Sequence, residues 1–258
     1  MSVRGKAKKL AVSVKRNTPL VEGLRWLNRG VRTVAAKTHQ AQFLAEWTVD
    51  NPEYFDHFID QYYLWTKTRV SFPWERGVFS SLALSDGSRV LDFCCGDGFN
   101  AYHFYSLRAT QVTAIDFDAE AIKWARRNFR IDNVRWIEGD IRTQIPDGPF
   151  DNIVWDAAIE HFTETEIEGL MARIKAVMTP GGTLSGYTIV ESPTGQKSLH
   201  QHEYEFSSRE DLARFLSPHF RNVQVFSTAY PKRENLYFYA SDGPLPFERE
   251  WNLEIRAT

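Results

Sequence analysis

The sequence predicts an α/β fold: a doubly wound, mostly parallel seven-stranded sheet with an antiparallel C-terminal strand pair, preceded by N-terminal helices. Three observations carry this. From Ser88 on, short apolar runs alternate with helical patterns, the signature of a parallel sheet covered on both faces. A glycine turn, Cys94-Cys95-Gly96-Asp97-Gly98, joins the first run to the first helix. The runs end on acids, at the carboxyl ends where open α/β sheets bind ligands in a crevice.

The elements follow in order. Residues 1–18 form a basic tail without a core-forming pattern, expected to be disordered. Leu20, Leu24, Leu27, Val31 and Val34 fall near helical spacing through Ala36. Asn51 as cap and Pro52 in the first turn open another helix, which carries Tyr54, Phe55, Phe58, Ile59, Tyr62, Tyr63 and Trp65. So many aromatics suit either core packing or a lid that excludes water. Thr66 to Phe79, with Trp74 and Arg76, reads as the connection to the sheet. Strands are expected at 88–93, 111–116, 134–138, 150–155 and 183–190, and helices at 98–108, 118–130 and 163–178. Thr163 and Glu166 make a capping box for the last of these. Pro180-Gly181-Gly182 reads as a turn into the fifth strand, and Ser207-Ser208-Arg209-Glu210 as the cap of a helix to Leu216. Val223–Phe226 and Leu236–Tyr239, joined through Tyr230-Pro231, read as an antiparallel pair. The expected organisation is a tail (1–18), a helical cap or lid (19–86), a ligand-binding sheet domain (87–240) and a C-terminal tail (241–258).

Composition narrows the function. The chain has 258 residues, 43% of them hydrophobic, enough for one α/β domain with an appendage. Net charge is −2, unevenly spread: residues 1–37 hold ten Lys or Arg against one acid, Glu22, and the remainder 21 against 32. An acidic body has no nucleic-acid footprint, and no nucleic-acid partner is expected. The basic start reads as a solvated tail or, more sharply, as a surface helix touching anionic membrane. No run is long and apolar enough to span a bilayer. The two cysteines, Cys94 and Cys95, are adjacent, which fits a reducing, cytoplasmic setting.

The chemistry gathers at the strand ends. Gly96, Gly98 and Ala101 make a G-x-G-x-x-A pattern, whose glycines let backbone approach a ligand and whose helix offers free N–H groups. Asp116 ends the second strand about 20 residues on, where such folds place the acid that grips ribose hydroxyls. Glu138-Gly139-Asp140 ends the third strand and Asp156 the fourth.

The series LDFCCGDG, AIDFD, EGDI, FDNIVWDAAIEHF and MTPGGTL resembles the class I S-adenosylmethionine-dependent methyltransferases over about Gly87 to Tyr239. The resemblance implies that Gly96 and Gly98, with Asp92 and Asp97 around them, pass the methionine end of the cofactor. It implies that Asp116 holds the ribose with Phe117 against the adenine, that Asp140 accepts from the adenine amino group with Ile141 packed on the ring, and that Asp156 and Ala157 line the methionine side. The chain departs from the family at Cys94, where glycine is usual, so the turn there must admit a Cβ.

Three histidines fall where an acceptor's proton could be taken: His161 after the fourth strand, which the resemblance places beside the cofactor, and His200 and His202 in the loop after the fifth. His200 and His202 with Glu203 and Glu205 also have the residue types of a metal site. Metal-dependent catechol-type enzymes draw acids from other strand ends, a pattern not matched here, so no metal is expected. The expected function is O-methylation of a small molecule or glycan by S-adenosylmethionine. The alternatives are N-methylation or nucleic-acid methylation, a nicotinamide-dependent dehydrogenase, and a non-catalytic cofactor-binding protein. Amino methylation of a base would want an Asn/Asp-Pro-Pro-aromatic run where this chain has Asp156-Ala157-Ala158-Ile159.

Overall fold

The structure, a computed structural model, describes residues 18–49, 72–192, 195, 197–230 and 233–245. Residues 1–17 and 246–258 of the expected tails, and the expected aromatic helix after Pro52, lie outside these residues; Thr18 opens the first helix and Ser241 ends the last strand. The described part falls into two compact units, an N-terminal helix over 18–49 and a sheet unit from residue 72 on.

The first unit contributes α1 (Thr18–Val49). Pro19 suits the first turn, where a missing N–H costs nothing. Leu20, Leu24, Leu27, Val31 and Val34 lie along one side and are all exposed, as is Trp26. Arg25, Arg29 and Arg32 fall on the opposite side at 3.6 residues per turn. Among the described residues no helix is long and apolar enough to cross a membrane.

The second unit comprises α2 (Phe72–Ala83), β1 (Arg89–Phe93), α3 (Phe99–His103), β2 (Gln111–Asp116), α4 (Ala119–Asn128), β3 (Val134–Glu138), β4 (Phe150–Asp156), α5 (Glu164–Val177), β5 (Met178–Ile189), α6 (Arg209–Leu216), β6 (Asn222–Tyr230) and β7 (Arg233–Ser241). The seven strands stand in the order β3-β2-β1-β4-β5-β7-β6. β1 to β5 are parallel; β7 runs antiparallel between β5 and β6. The strand order reverses between β1 and β4, and their carboxyl ends open the crevice that such sheets use for ligands.

Burial explains the strands. Alternate residues Leu91, Phe93, Ile115, Ile153 and Trp155 pack against Ile167, Leu170, Met171 and Ile174 of α5 and Leu212, Phe215 and Leu216 of α6. The other side holds Val90, Val112, Ala114, Val134 and Val154 under Ala101 and Tyr105. The caps follow the sequence. Asp118 accepts from Glu120 N and Ala121 N, Thr163 and Glu166 form the capping box, and Ser208 accepts from Asp211 N.

Three expectations need correction. Phe72–Ala83 is a helix of the sheet unit, not a connection, although the sequence groups it with a cap over 19–86. Buried Asn152 of β4 grips its end, donating to Ala83 O at 2.8 Å and accepting from Ser85 N, while Tyr239 Oη donates to Phe79 O. The helix expected over 98–108 stops at His103 and resumes as a 3-10 turn, Tyr105–Leu107, because Phe104 leaves helical geometry at φ −125°. Pro180-Gly181-Gly182 lies inside β5 as a bulge, since Phe150 pairs with Met178 while Asn152 already pairs with Thr183; Gly181 makes this possible at φ +77°.

Candidate active site

Strand parity builds the site. Side chains alternate along a strand, and Asp92 pairs in register with Ala114 of β2 and Val154 of β4. Asp92, Asp116 and Asp156 therefore stand on one side of the sheet, with Asp116 and Asp156 two residues further along on either flank. All three are buried.

The residues just past β1 and β4 are held in the left-handed region without being glycine: Cys94 at φ +53° and Ala157 at φ +54°. Each conformation costs roughly 1–2 kcal/mol for a residue with a Cβ, a strain that persists where the surroundings impose it and that gathers at functional sites. Ala157 N is fixed by Tyr187 O at 2.8 Å, and Cys94 packs on the main core. The turn does admit a Cβ at Cys94, under strain.

The glycine turn differs from its expected use. Gly96 N donates to Asp116 Oδ2 at 2.8 Å, Asp118 N to Asp116 Oδ1 at 2.8 Å, and Phe99 N to Asp97 Oδ1 at 3.0 Å. N–H groups expected to be free for a ligand are thus held by the protein's own carboxylates. Gly98, at φ +80°, is demanded by packing as well: a Cβ there would stand 2.5 Å from the Trp136 ring and 3.0 Å from Ala125 Cβ.

Towards the β3 edge, Phe117 is half exposed and free to receive a flat ring. Asp140 accepts from Arg142 N at 2.9 Å and pairs with its guanidinium at 3.1 Å. Ile141 is buried in the main core.

Towards β4, sequence reasoning missed the central cation. Arg76 of α2 is buried and pairs with Asp156, Nε to Oδ2, at 3.4 Å. Burial works against its charge, but Asp156, with smaller help from Tyr187, Tyr105 and Asp97, outweighs that and raises its pKa. The available signal was an arginine within the largely apolar stretch FPWERGVFSSLA. Burial, reinforced by Asp156 and Asp116, pushes the Asp92 carboxyl well above its usual range, and Arg76 offsets this only in part. Burial also lifts Asp156 to about 6; Arg76 and the Asn100 hydrogen bond pull it down while Glu160 pushes it up. Asn100 Nδ2 donates to Asp156 Oδ2 at 3.0 Å. Asp156 Oδ1 and Asn100 Oδ1 are left buried with no hydrogen-bond partner.

Of the three histidines, two come together. His161 ends a 3-10 turn, Ile159–His161, after β4, and its ring meets that of His202 edge-on at 4.8 Å between centroids. His200 is exposed and outside this pair. The grouping expected around His200 and His202 is replaced by Glu160, His161 and His202, whose ligating atoms lie within 4.8 Å of one another.

These features decide the ligand's charge. Buried carboxylates occupy the glycine turn, a poor cradle for a pyrophosphate but a good one for a cation. The two unpartnered acceptor oxygens suit an ammonium group, which carries only donors. The residues therefore fit the amino-acid end of S-adenosylmethionine, while a dinucleotide does not match them. Residues 90–182 match the family model described as a methyltransferase domain.

This segment is a methyltransferase domain.

The relatives agree. An uncharacterised methyltransferase of Mycobacterium tuberculosis is 38% identical over 102 residues, 39% of this chain and 50% of its own length. A ribosomal protein L11 methyltransferase of Shewanella woodyi is 30% identical over 100 residues, 39% of this chain and 33% of its own. The chain thus spans about half the length of the mycobacterial relatives it matches. Among solved structures, the N-methyltransferase NodS of Bradyrhizobium japonicum superposes with TM-score 0.53 at 17% identity, covering 65% of this chain and 93% of its own. The DhpI–SAH complex does so with TM-score 0.52 at 20% identity, covering 83% and 95%. At such identities the likeness shows the fold.

Proposed function

We propose that the protein transfers a methyl group from S-adenosylmethionine to a hydroxyl of a small molecule or glycan. The methionine end would be held by Asp156 and Asn100 on one side of the turn and the ribose by Asp116, with Phe117 under the adenine. The cofactor supplies an electrophilic methyl group.

The observation that carries the hydroxyl reading is the Glu160–His161–His202 group, whose first two members follow Asp156 by four and five residues in sequence. An alcohol is a poor nucleophile until its proton is drawn off, and such a group meets that need. A neutral amine already offers its lone pair and has no use for one. The test is transfer of labelled methyl to a panel of hydroxylated small molecules and glycans beside amines and RNA; methylation confined to amines or RNA sinks the reading. Calorimetry with S-adenosylhomocysteine and NAD tests the cofactor separately, and binding of NAD alone overturns it.

For its location, the reading is a cytoplasmic protein that touches anionic membrane through α1. Its exposed Leu20, Leu24, Trp26, Leu27, Val31 and Val34, backed by arginines, support this.

A further inference from the structure

We infer that Glu160, His161 and His202 bind a divalent first-row transition cation, such as zinc, beside the methyl-transfer crevice. The site stands on its own geometry; its use in activating a hydroxyl rests on the reading above.

The ligands come from two separate stretches held together by backbone. Glu160 and His161 sit on the 3-10 turn after β4, and His202 on the loop after β5. Glu160 O accepts from Glu203 N at 2.8 Å and Tyr204 N at 3.1 Å, which locks the loop onto the turn. Around one ion at about 2.0–2.2 Å from each ligand, donor atoms lie roughly 3–3.5 Å apart. The observed set, within 4.8 Å, closes on an ion with side-chain shifts of about 1 Å.

Two independent observations point to a cation. First, Glu160 is buried, and among the described residues no Lys or Arg pairs with it; its side chain accepts instead from the hydroxyl of Thr188, at 2.9 Å. A buried carboxylate without a countercharge is costly, and a cation supplies the charge. Second, His202 Nδ1 is engaged by the buried Glu205 carboxylate. That partner fixes the tautomer with the proton on Nδ1 and leaves Nε2 bare, the arrangement in which a second carboxylate orients a metal-binding histidine.

The donor set selects the ion class. Two imidazoles and one carboxylate suit zinc, iron, cobalt or manganese, whereas magnesium and calcium prefer oxygen throughout. Three protein ligands leave positions open, as at catalytic rather than structural sites. A hydroxyl bound there would, through Lewis-acid polarisation, release its proton to solvent water near neutral pH, with no electron transfer.

The test is cobalt(II) titration of the chelator-treated full-length protein, read by visible absorption with zinc(II) and magnesium(II) as competitors. The expected result is one cobalt per chain, displaced by zinc but not by magnesium. Glu160→Gln and His161→Ala should each weaken binding on the order of 100-fold, and Glu205→Gln by about 10–100-fold. His200→Ala, at the exposed histidine nearby, should leave binding intact. S-adenosylhomocysteine binding on the same samples reports folding, so that a collapsed variant is not scored as a lost ligand. Absence of stoichiometric cobalt, or equal affinity in folded Glu160→Gln and His161→Ala, overturns the site. Loss of hydroxyl methylation with cobalt binding kept would overturn the function instead.

Discussion

Cofactor affinity should rise with pH through the titration of Asp156. Burial lifts this carboxyl to about 6, against the pull of Arg76. Only its ionised form attracts an ammonium group, and the α-amino group of the ligand, ordinarily titrating near ~8, stays protonated below pH 7. The sign is therefore fixed: affinity is low when Asp156 is protonated and high when it is ionised. With a pKa of about 6, the ionised fraction changes from about nine-tenths at pH 7 to about one-tenth at pH 5. Affinity for S-adenosylhomocysteine should fall about tenfold across that window. Asp156→Asn should flatten the profile and weaken binding at pH 7 by ~1.5–3 kcal/mol, the worth of a hydrogen bond to a charged group. Isothermal titration calorimetry at pH 5, 6 and 7 on both proteins decides it. A flat wild-type profile, or an unchanged slope in Asp156→Asn, would refute the placement of the ammonium at Asp156.

Other outcomes follow from the same geometry. Asp116→Ala should lower thermal stability as well as cofactor affinity, because it frees Gly96 N and Asp118 N; lost affinity at unchanged melting temperature would mean that it serves the ligand alone. Asp92→Asn should bind S-adenosylhomocysteine at pH 7 nearly as the wild type does, since burial pushes the native carboxyl well above its usual range and disfavours its charge; a loss comparable to that of Asp156→Asn would contradict this. Gly98→Ala should cost ~1–2 kcal/mol for the left-handed backbone and ~1–3 kcal/mol for overpacking Trp136, read by urea denaturation; an unaltered midpoint would contradict the close packing. Burial, with Asp116 and Asp92 nearby, keeps the Cys94 and Cys95 thiols protonated, so iodoacetamide should label them slowly at pH 8 and rapidly once urea unfolds the chain; fast labelling of the folded protein would argue otherwise.

The strands and the strand-end acids were legible because each leaves a local mark. Val90, Leu91 and Phe93 make a short apolar run broken only by Asp92, and Asp116 and Asp156 each close a similar run. Thr163 with Glu166 announced its helix for the same reason. What escaped reading depends on contacts between distant segments. Arg76 lies 80 residues before Asp156 and looks like any surface arginine until α2 is docked by Asn152 and Tyr239. The packing demand at Gly98 was hidden because the sequence does not reveal Trp136 behind it. His202 was grouped with His200 by proximity in the chain, yet the loop turns one inward and leaves the other exposed. The bulge in β5 was hidden because Pro-Gly-Gly ordinarily ends a strand, and a parallel neighbour absorbs the extra residues here.

The distribution of charge also argues for how the crevice avoids working against its own reaction. Methyl transfer turns a sulfonium into a neutral thioether, so a strongly negative pocket at the sulfur would stabilise the starting state more than the transition state and slow the step. The structure limits that field in three ways. Burial, reinforced by Asp156 and Asp116, pushes the carboxyl of Asp92, central among the acids, well above its usual range and so disfavours its charge. Asp116 and Asp97 direct their oxygens at backbone N–H groups of the turn, which disperse their charge. Asp156 is paired with Arg76 and Asn100, leaving one oxygen for an ammonium that stays charged throughout. Negative charge is thus spent where the ligand's charge does not change. On this argument an Arg76→Met substitution, by unpairing Asp156, should disturb turnover more than it weakens S-adenosylhomocysteine binding.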